Sequence, residues 1–244
     1  MTPGPAEQES SRPVVLVTGS ARGIGLGVAR ELSGRGWRTH VVWRSSQDPE
    51  LEDRFPGRAH RADLTRPDDV RGLVRGVLDR DGRLDGVVHA VGEYVAGPLE
   101  GLPHDELVRM FESNVFSSFL VAEGTRAALR ETRGAWVFFG CAGVERLGAR
   151  RDAAGYVAAK TALVSFVRSL ALEEAPWGVR ANLVSPGLVP HPHASDDTHE
   201  LAGRVPLGRP GTENDLAAAA AWLLSAEAGH VTGQNLDVAG GWFL

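Results

Sequence analysis

The stretch PVVLVTGSARGIGLGVARELSGRG, residues 13–36, decides the fold. A short β-branched run ends at Gly19, and Ile24, Val28, Ala29 and Leu32 then recur at helical spacing until a glycine stop. The order is strand, glycine turn, helix. Gly19, Gly23 and Gly25 occupy the turn, where glycines let the backbone approach a pyrophosphate. The first N–H groups of the helix, with its dipole behind them, favour that charge. The first two glycines are separated by three residues instead of the one of the commoner dinucleotide fingerprint. An ordinary glycine-rich turn would look the same, so the rest of the chain has to decide.

The rhythm repeats. RTHVVW (38–43) is a second strand, GRAHRADL (57–64) holds a short third, and RPDDVRGLVRGVLDRDG (66–82) is a helix with Pro67 near its start and acids in its first turn. LDGVVHAVG (84–92) and GAWVFFGCAG (134–143) are further strands with one long helix between them, over 104–131. A helix from Tyr156, a strand in VRANLVSPG (179–187), a helix in ENDLAAAAAWLLSAEA (213–228) and a strand in GQNLDVAGG (233–241) complete the chain. Each parallel crossover needs a helix to bring the chain back, so this alternation requires a parallel sheet. The expected fold is α/β: a Rossmann-like doubly wound parallel sheet, one domain over 13–244. Residues 1–12, rich in Pro, Glu, Gln and Ser, read as a flexible tail.

Composition narrows the function classes. The 244 residues are 43% hydrophobic, enough for one core, and a net charge of −5 leaves no broad basic surface for nucleic acid. The longest apolar run, LAAAAAWLL (216–224), is about half of the roughly 20 residues that cross a bilayer, so no membrane partner is expected. One cysteine allows no internal disulfide, and the first residues contain no apolar leader segment; a reducing cytoplasm is the expected location.

Two sites carry chemistry. At the end of the second strand, an acid would bind a free ribose 2′-hydroxyl and an arginine a 2′-phosphate. The sequence there is VVWRSS: Trp43 replaces the acid, Arg44 follows, and Arg22 in the glycine turn adds a second guanidinium, which favours NADP(H). Further on, Tyr156 and Lys160 lie four apart and share one helix face. Such pairs arise by chance on many helices, but Lys160 is the only lysine in a chain whose other basic side chains are arginines and histidines.

With TGSARGIG, Asp63-Leu64, Asn114, YVAAK, VRANLVSPG, PLGRPG and GHVTGQNLDVAGG in this order, the chain resembles the short-chain dehydrogenase/reductase family, and is similar to its 3-oxoacyl-(acyl-carrier-protein) reductase branch, over nearly all of 13–241. The resemblance implies a nicotinamide cofactor and hydride transfer between it and a carbonyl or alcohol. It implies cofactor contacts at Gly19, Ser20, Arg22, Gly23, Ile24, Gly25, Arg44, Asp63, Leu64, Ala90, Gly92, Tyr156, Lys160, Pro186, Gly187 and Val189. Tyr156 would be the general acid. Lys160 would hold the nicotinamide ribose and lower the phenol's pKa, and Asn114 would hold a water of the proton relay. A homotetramer is expected on the same ground.

The family pattern then fails at three places. Its catalytic serine, about thirteen residues before the tyrosine, has no counterpart: no Ser or Thr occurs in the twenty residues before Tyr156, and Cys141 falls nearest the serine's place. A thiol is a weak donor, and the same cysteine also reads as a small buried hydrophobe. The usual NNAG is HAVG, with His89 and Ala90 replacing both amides. His191 stands where a threonine commonly meets the nicotinamide amide, in HPHASDDTHE (191–200). His191, His193, Asp196, Asp197 and His199 are metal-ligating types, but a proline-broken loop gives them no fixed geometry; no metal is expected, and the segment reads as a lid. Two readings follow: an NADPH-dependent carbonyl reductase in which Cys141 replaces the serine, or a cofactor-binding relative with little or no catalysis, acting as a sensor or assembly subunit.

Overall fold

The computed structural model describes residues 11–45, 50–190, 201 and 203–243. The proposed lid and its histidines lie outside the described residues, as does most of the tail. Seven parallel strands form one sheet in the order β3-β2-β1-β4-β5-β6-β7. They are β1 Val14–Thr18, β2 Arg38–Trp43, β3 Ala59–Arg61, β4 Gly86–His89, β5 Ala135–Phe139, β6 Arg180–Pro186 and β7 Asn235–Val238. The chain moves outward from β1 to β3, then returns to pair β4 on the other side of β1, in register Val17 to Val88 and Thr18 to His89. This reversal opens a crevice at the strands' carboxyl ends.

Helices cover both faces, as a sheet buried on both sides requires. On one face lie α1 (Gly23–Gly34) and α7 (Glu213–Leu224), packed over Val15, Val17, Val41, Val137 and Val184. On the other lie α3 (Pro67–Asp81), α5 (Ser117–Thr132) and α6 (Ala154–Glu174), over Leu16, Val87, Trp136, Phe138 and Leu183. A short α2 (Glu50–Arg54), not foreseen from the sequence, leads into β3. By length and composition, Ala154–Trp177 is the one segment among the described residues able to cross a membrane, but Leu163, Val164, Val167 and Leu170 place it in the core.

The long helix expected over 104–131 is interrupted. α4 (His104–Phe111) and α5 are joined by a π turn, Glu112–Phe116, in which Ser117 N–H donates to Glu112 C=O. A π turn lifts carbonyls out of the regular ladder. Here side chains take them: Asn114 Nδ2 donates to Met110 O at 2.8 Å, Ser117 Oγ to Ser113 O at 2.5 Å and Ser118 Oγ to Asn114 O at 2.8 Å. Apolar periodicity runs through this segment without a break, so the sequence alone gives no sign of the turn.

A polar cluster lies between β2, β3 and α3. Asp81, 4% exposed at its side chain, accepts from Arg38 (3.0 Å), Arg58 (2.8 Å) and His40 Nε2 (2.8 Å), while His40 Nδ1 meets His60 Nε2 at 2.8 Å. Arg38, His40 and Val42 alternate along β2, so all three face α3. Burial holds His40 down to about 4.

Candidate active site

The cleft at the carboxyl ends has a volume of about 480 Å³. Its floor is the glycine turn. Gly19 adopts φ +70°, and a Cβ there would lie 2.5 Å from Ala90 O, so this close approach of β1 to β4 admits only glycine. No side chain caps α1, whereas Thr212 and Asp215 form a capping box at the start of α7. Four free N–H groups at an uncapped helix start form an anion site. Gly23, Ile24, Gly25, Arg22, Asp63, Leu64, Ala90, Gly92 and Val189 all line the cleft. Ser20 does not: its hydroxyl, fully buried, donates to Val17 O and accepts from Val42 N–H, and its backbone N–H donates to Val42 O at 3.2 Å. Pro186 and Gly187, at the end of β6, stand outside the cleft wall, with Gly187 against Ala239.

Arg44 reaches the cleft mouth, and there the sequence reading needs correcting. It found no acid to oppose a phosphate, but Glu93, from the segment after β4, lies 3.6 Å from the Arg44 guanidinium. Glu213 and Asp63 also line the cleft. Asp63 Oδ1 accepts from Thr65 N–H and Oγ–H. Those bonds and Arg44 hold its carboxyl below the usual range, despite burial, which pushes the other way.

At the inner end of the cleft, Gly92 separates two buried polar groups. A Cβ on Gly92 would clash with Asn114 Oδ1 and lie 3.3 Å from Lys160 Nζ. Asn114 Nδ2 is spent on Glu93 O (2.9 Å) and Met110 O (2.8 Å), but its Oδ1 is buried with no partner among the described residues. Lys160, 3% exposed, donates to Phe139 O at 2.6 Å, which fixes α6 against the end of β5. Burial lowers its ammonium to about 8, so it remains mostly charged at neutral pH. Its Nζ lies 5.5 Å from the Tyr156 ring. The expected lowering of the phenol is not what the surroundings give: burial pushes Tyr156 up, and any charge on Cys141 or Tyr94 raises it further.

Cys141, two residues past β5, is partly buried and packs on the core, with Sγ 3.8 Å from Ala142 O. The packing matches one of the two sequence readings of this residue, the small buried hydrophobe. Burial pushes the thiol up, so it is neutral and no ready nucleophile.

His89, in place of an amide, builds its own network. Ser117 spends its proton on Ser113 O, so its oxygen accepts from His89 Nε2–H at 3.0 Å, and His89 Nδ1 accepts from Thr18 Oγ–H at 2.8 Å. Burial, helped by the Lys160 charge, takes the ring down to about 3, so it is a neutral strut between β1, β4 and α5. Sequence reasoning missed Glu93, Tyr94, Ser113 and Ser117, because none belongs to a motif.

A doubly wound sheet with an uncapped, glycine-floored helix start and a Tyr-Lys pair beyond it defines a dinucleotide-binding oxidoreductase fold. Residues 19–243 match the family model described as enoyl-(acyl carrier protein) reductase. The chain belongs to the short-chain dehydrogenase/reductase family. It is 34% identical over 245 residues to an L-fucose dehydrogenase of Oryctolagus cuniculus, covering 93% of this chain and 84% of that one. It is 29% identical over 239 residues to the 3-oxoacyl-[acyl-carrier-protein] reductase FabG of Vibrio cholerae, covering 95% and 97%. Among solved structures, a blue fluorescent protein from a metagenomic library in complex with NADPH superimposes with a TM-score of 0.87 at 29% identity, covering 95% and 98%.

Proposed function

We propose that the protein is an NADPH-dependent reductase of a ketone or 3-oxoacyl compound. The observation that carries this reading is the convergence of Lys160 Nζ and the unpartnered Asn114 Oδ1 on Gly92, at the inner end of a cleft whose outer end holds Arg22 and Arg44. The residues fit a nicotinamide dinucleotide: N–H groups for the pyrophosphate, Asp63 for the adenine, two guanidinium groups for a 2′-phosphate. Bound there, the cofactor would supply the hydride. Lys160 holds the ribose and keeps a positive charge beside the phenol. Tyr156 delivers the proton to the substrate oxygen, and Asn114 Oδ1 orders a water on the path that restores it. Cys141 gives that oxygen a weak contact where a serine would give a strong one. Val189, on the cleft wall, completes the nicotinamide side.

The same reading makes the protein a cytoplasmic homotetramer. Val108, Phe116 and Phe119 are exposed along α4, the π turn and α5, an apolar face that a monomer would leave in water. Light scattering at micromolar concentration should exceed the 26.0 kDa monomer several-fold.

A test needs two measurements: NADPH binding by titration, and NADPH oxidation with a panel of ketones and acetoacetyl-coenzyme A. Binding with turnover supports the reductase. Tight binding with no turnover on any carbonyl supports the cofactor-binding relative, which the Cys141 substitution favours.

A further inference from the structure

Tyr94 belongs to no motif, yet it is one of only two tyrosines in the chain, and the fold sets it against the other. The rings meet edge to face with centroids 4.9 Å apart at 90°. Tyr94 is 56% exposed, so its side chain meets solvent as well as Tyr156. Its backbone is clamped on both sides. Before it, Glu93 N–H donates to Ser113 Oγ at 3.0 Å and Glu93 O accepts from Asn114 Nδ2 at 2.9 Å. After it, Gly97 N–H donates to Asp152 O at 2.8 Å, and Gly97 pairs with Ala153, the residue before α6. The loop 93–97 is thus tied to the π turn at one end and to the start of the Tyr156 helix at the other.

Among the described residues, what this site lacks is a good hydrogen-bond donor for an oxygen held by Tyr156. The Cys141 thiol is a weak donor, and its hydrogen already has Ala142 O at 3.8 Å. The Tyr94 phenol is a strong donor, and burial, with the Asp152 carboxylate, raises its pKa and keeps it protonated. Packing on Tyr156 accounts for the ring of Tyr94 but leaves its hydroxyl unexplained.

We propose that Tyr94 is a further catalytic residue: its phenolic O–H donates a hydrogen bond to the substrate oxygen as negative charge builds there, doing at this site what the missing serine would do. The proposal rests on Tyr156 as the proton donor. Tyr156 gives its proton to the oxygen, and Tyr94 keeps its own throughout.

Tyr94→Phe removes the hydroxyl and leaves the ring. With the carbonyl compound reduced fastest, kcat/KM should fall by about 10²-fold, the usual cost of one oxyanion donor, with NADPH affinity unchanged. In a Cys141→Ser background the same change should cost less than about tenfold, because the serine now supplies a donor. No loss, or the same loss in both backgrounds, overturns the proposal. A second readout needs no turnover. Protein labelled with 3-fluorotyrosine gives two ¹⁹F resonances, assigned through Tyr94→Phe and Tyr156→Phe. Adding cyclohexanone to the complex with NADP⁺, which cannot react, should shift both. A shift of the Tyr156 signal alone removes Tyr94 from the site, and no shift of either overturns the reading on which both roles rest.

Discussion

Two buried polar clusters can be compared, and they differ in one respect. Around Asp81, both carboxylate oxygens, two guanidinium groups and the facing nitrogens of His40 and His60 have partners within the fold. Around Gly92, among the described residues, Asn114 Oδ1 has no partner and Lys160 has one hydrogen-bonded carbonyl for three donors. A satisfied buried network holds elements together, whereas buried polar groups left open in a cleft are poised for something not in the chain. By charge alone the Asp81 cluster looks the more like an active site. By satisfaction it is a brace between β2, β3 and α3.

The largest effect should come from the open cluster. Tyr156→Phe should lower carbonyl reduction by about 10³-fold or more while NADPH titrates as before, since general-acid groups contribute on the order of 10²–10⁴. A variant that keeps its rate would move the chemistry elsewhere and end the contrast.

Asp81→Asn should do the opposite. Removing the one acid leaves two arginines buried without it, which costs about 3 kcal/mol of unfolding free energy and leaves the affinity for NADPH unchanged. Urea unfolding measures the first and cofactor titration the second. A stability change below about 1 kcal/mol would mean that the brace is not one.

Acid should reach both clusters. His40 and His89 are held at about 4 and about 3, against 6.5 when unfolded. Such depressed bases add stability that is complete above pH 6.5 and is lost as pH falls, because the unfolded chain then binds protons the native one refuses. Between about pH 6 and pH 4 the two together should cost up to roughly 2.7 kcal/mol per pH unit, and His89→Asn should halve that slope. A flat profile there would show that neither ring is held neutral.

The smallest effect belongs to the cleft mouth. Arg44→Ala should reduce the preference for NADPH over NADH about tenfold, roughly 1.4 kcal/mol, and Glu93→Gln should strengthen NADPH binding by freeing the guanidinium. Unchanged preference in both variants would assign 2′-phosphate recognition to Arg22 alone.

The parallel sheet and the Tyr156–Lys160 face could be read from the chain because each depends on neighbours a few residues apart. Strand, turn and helix around Gly19 are local, and so is a spacing of four. The Arg44–Glu93 pair joins residues from two different strand ends, and the Asp81 cluster needs β2, β3 and α3 already assembled. Tyr94 gains its meaning only when the loop 93–97 is pinned over α6. Nor could the sequence show that Asn114 spends its amide on two carbonyls and leaves its oxygen open, since one of those carbonyls is freed by a turn that apolar periodicity conceals.

That turn, Glu112–Phe116, makes segment length a constraint of its own. A π turn contains one residue more than the α turn it replaces, and one residue is about 100° of helical rotation. Deleting any one residue between Ser113 and Phe116 would let α4 and α5 fuse into one regular rod with its helical content intact. The rod could not present Leu107 and Met110 towards Gly155 while also keeping Val121 and Leu129 in the core. Single-residue substitutions along this stretch are graded changes, but a single-codon deletion is all or none, and it would remove the grip on Glu93 that sets the loop over Tyr156.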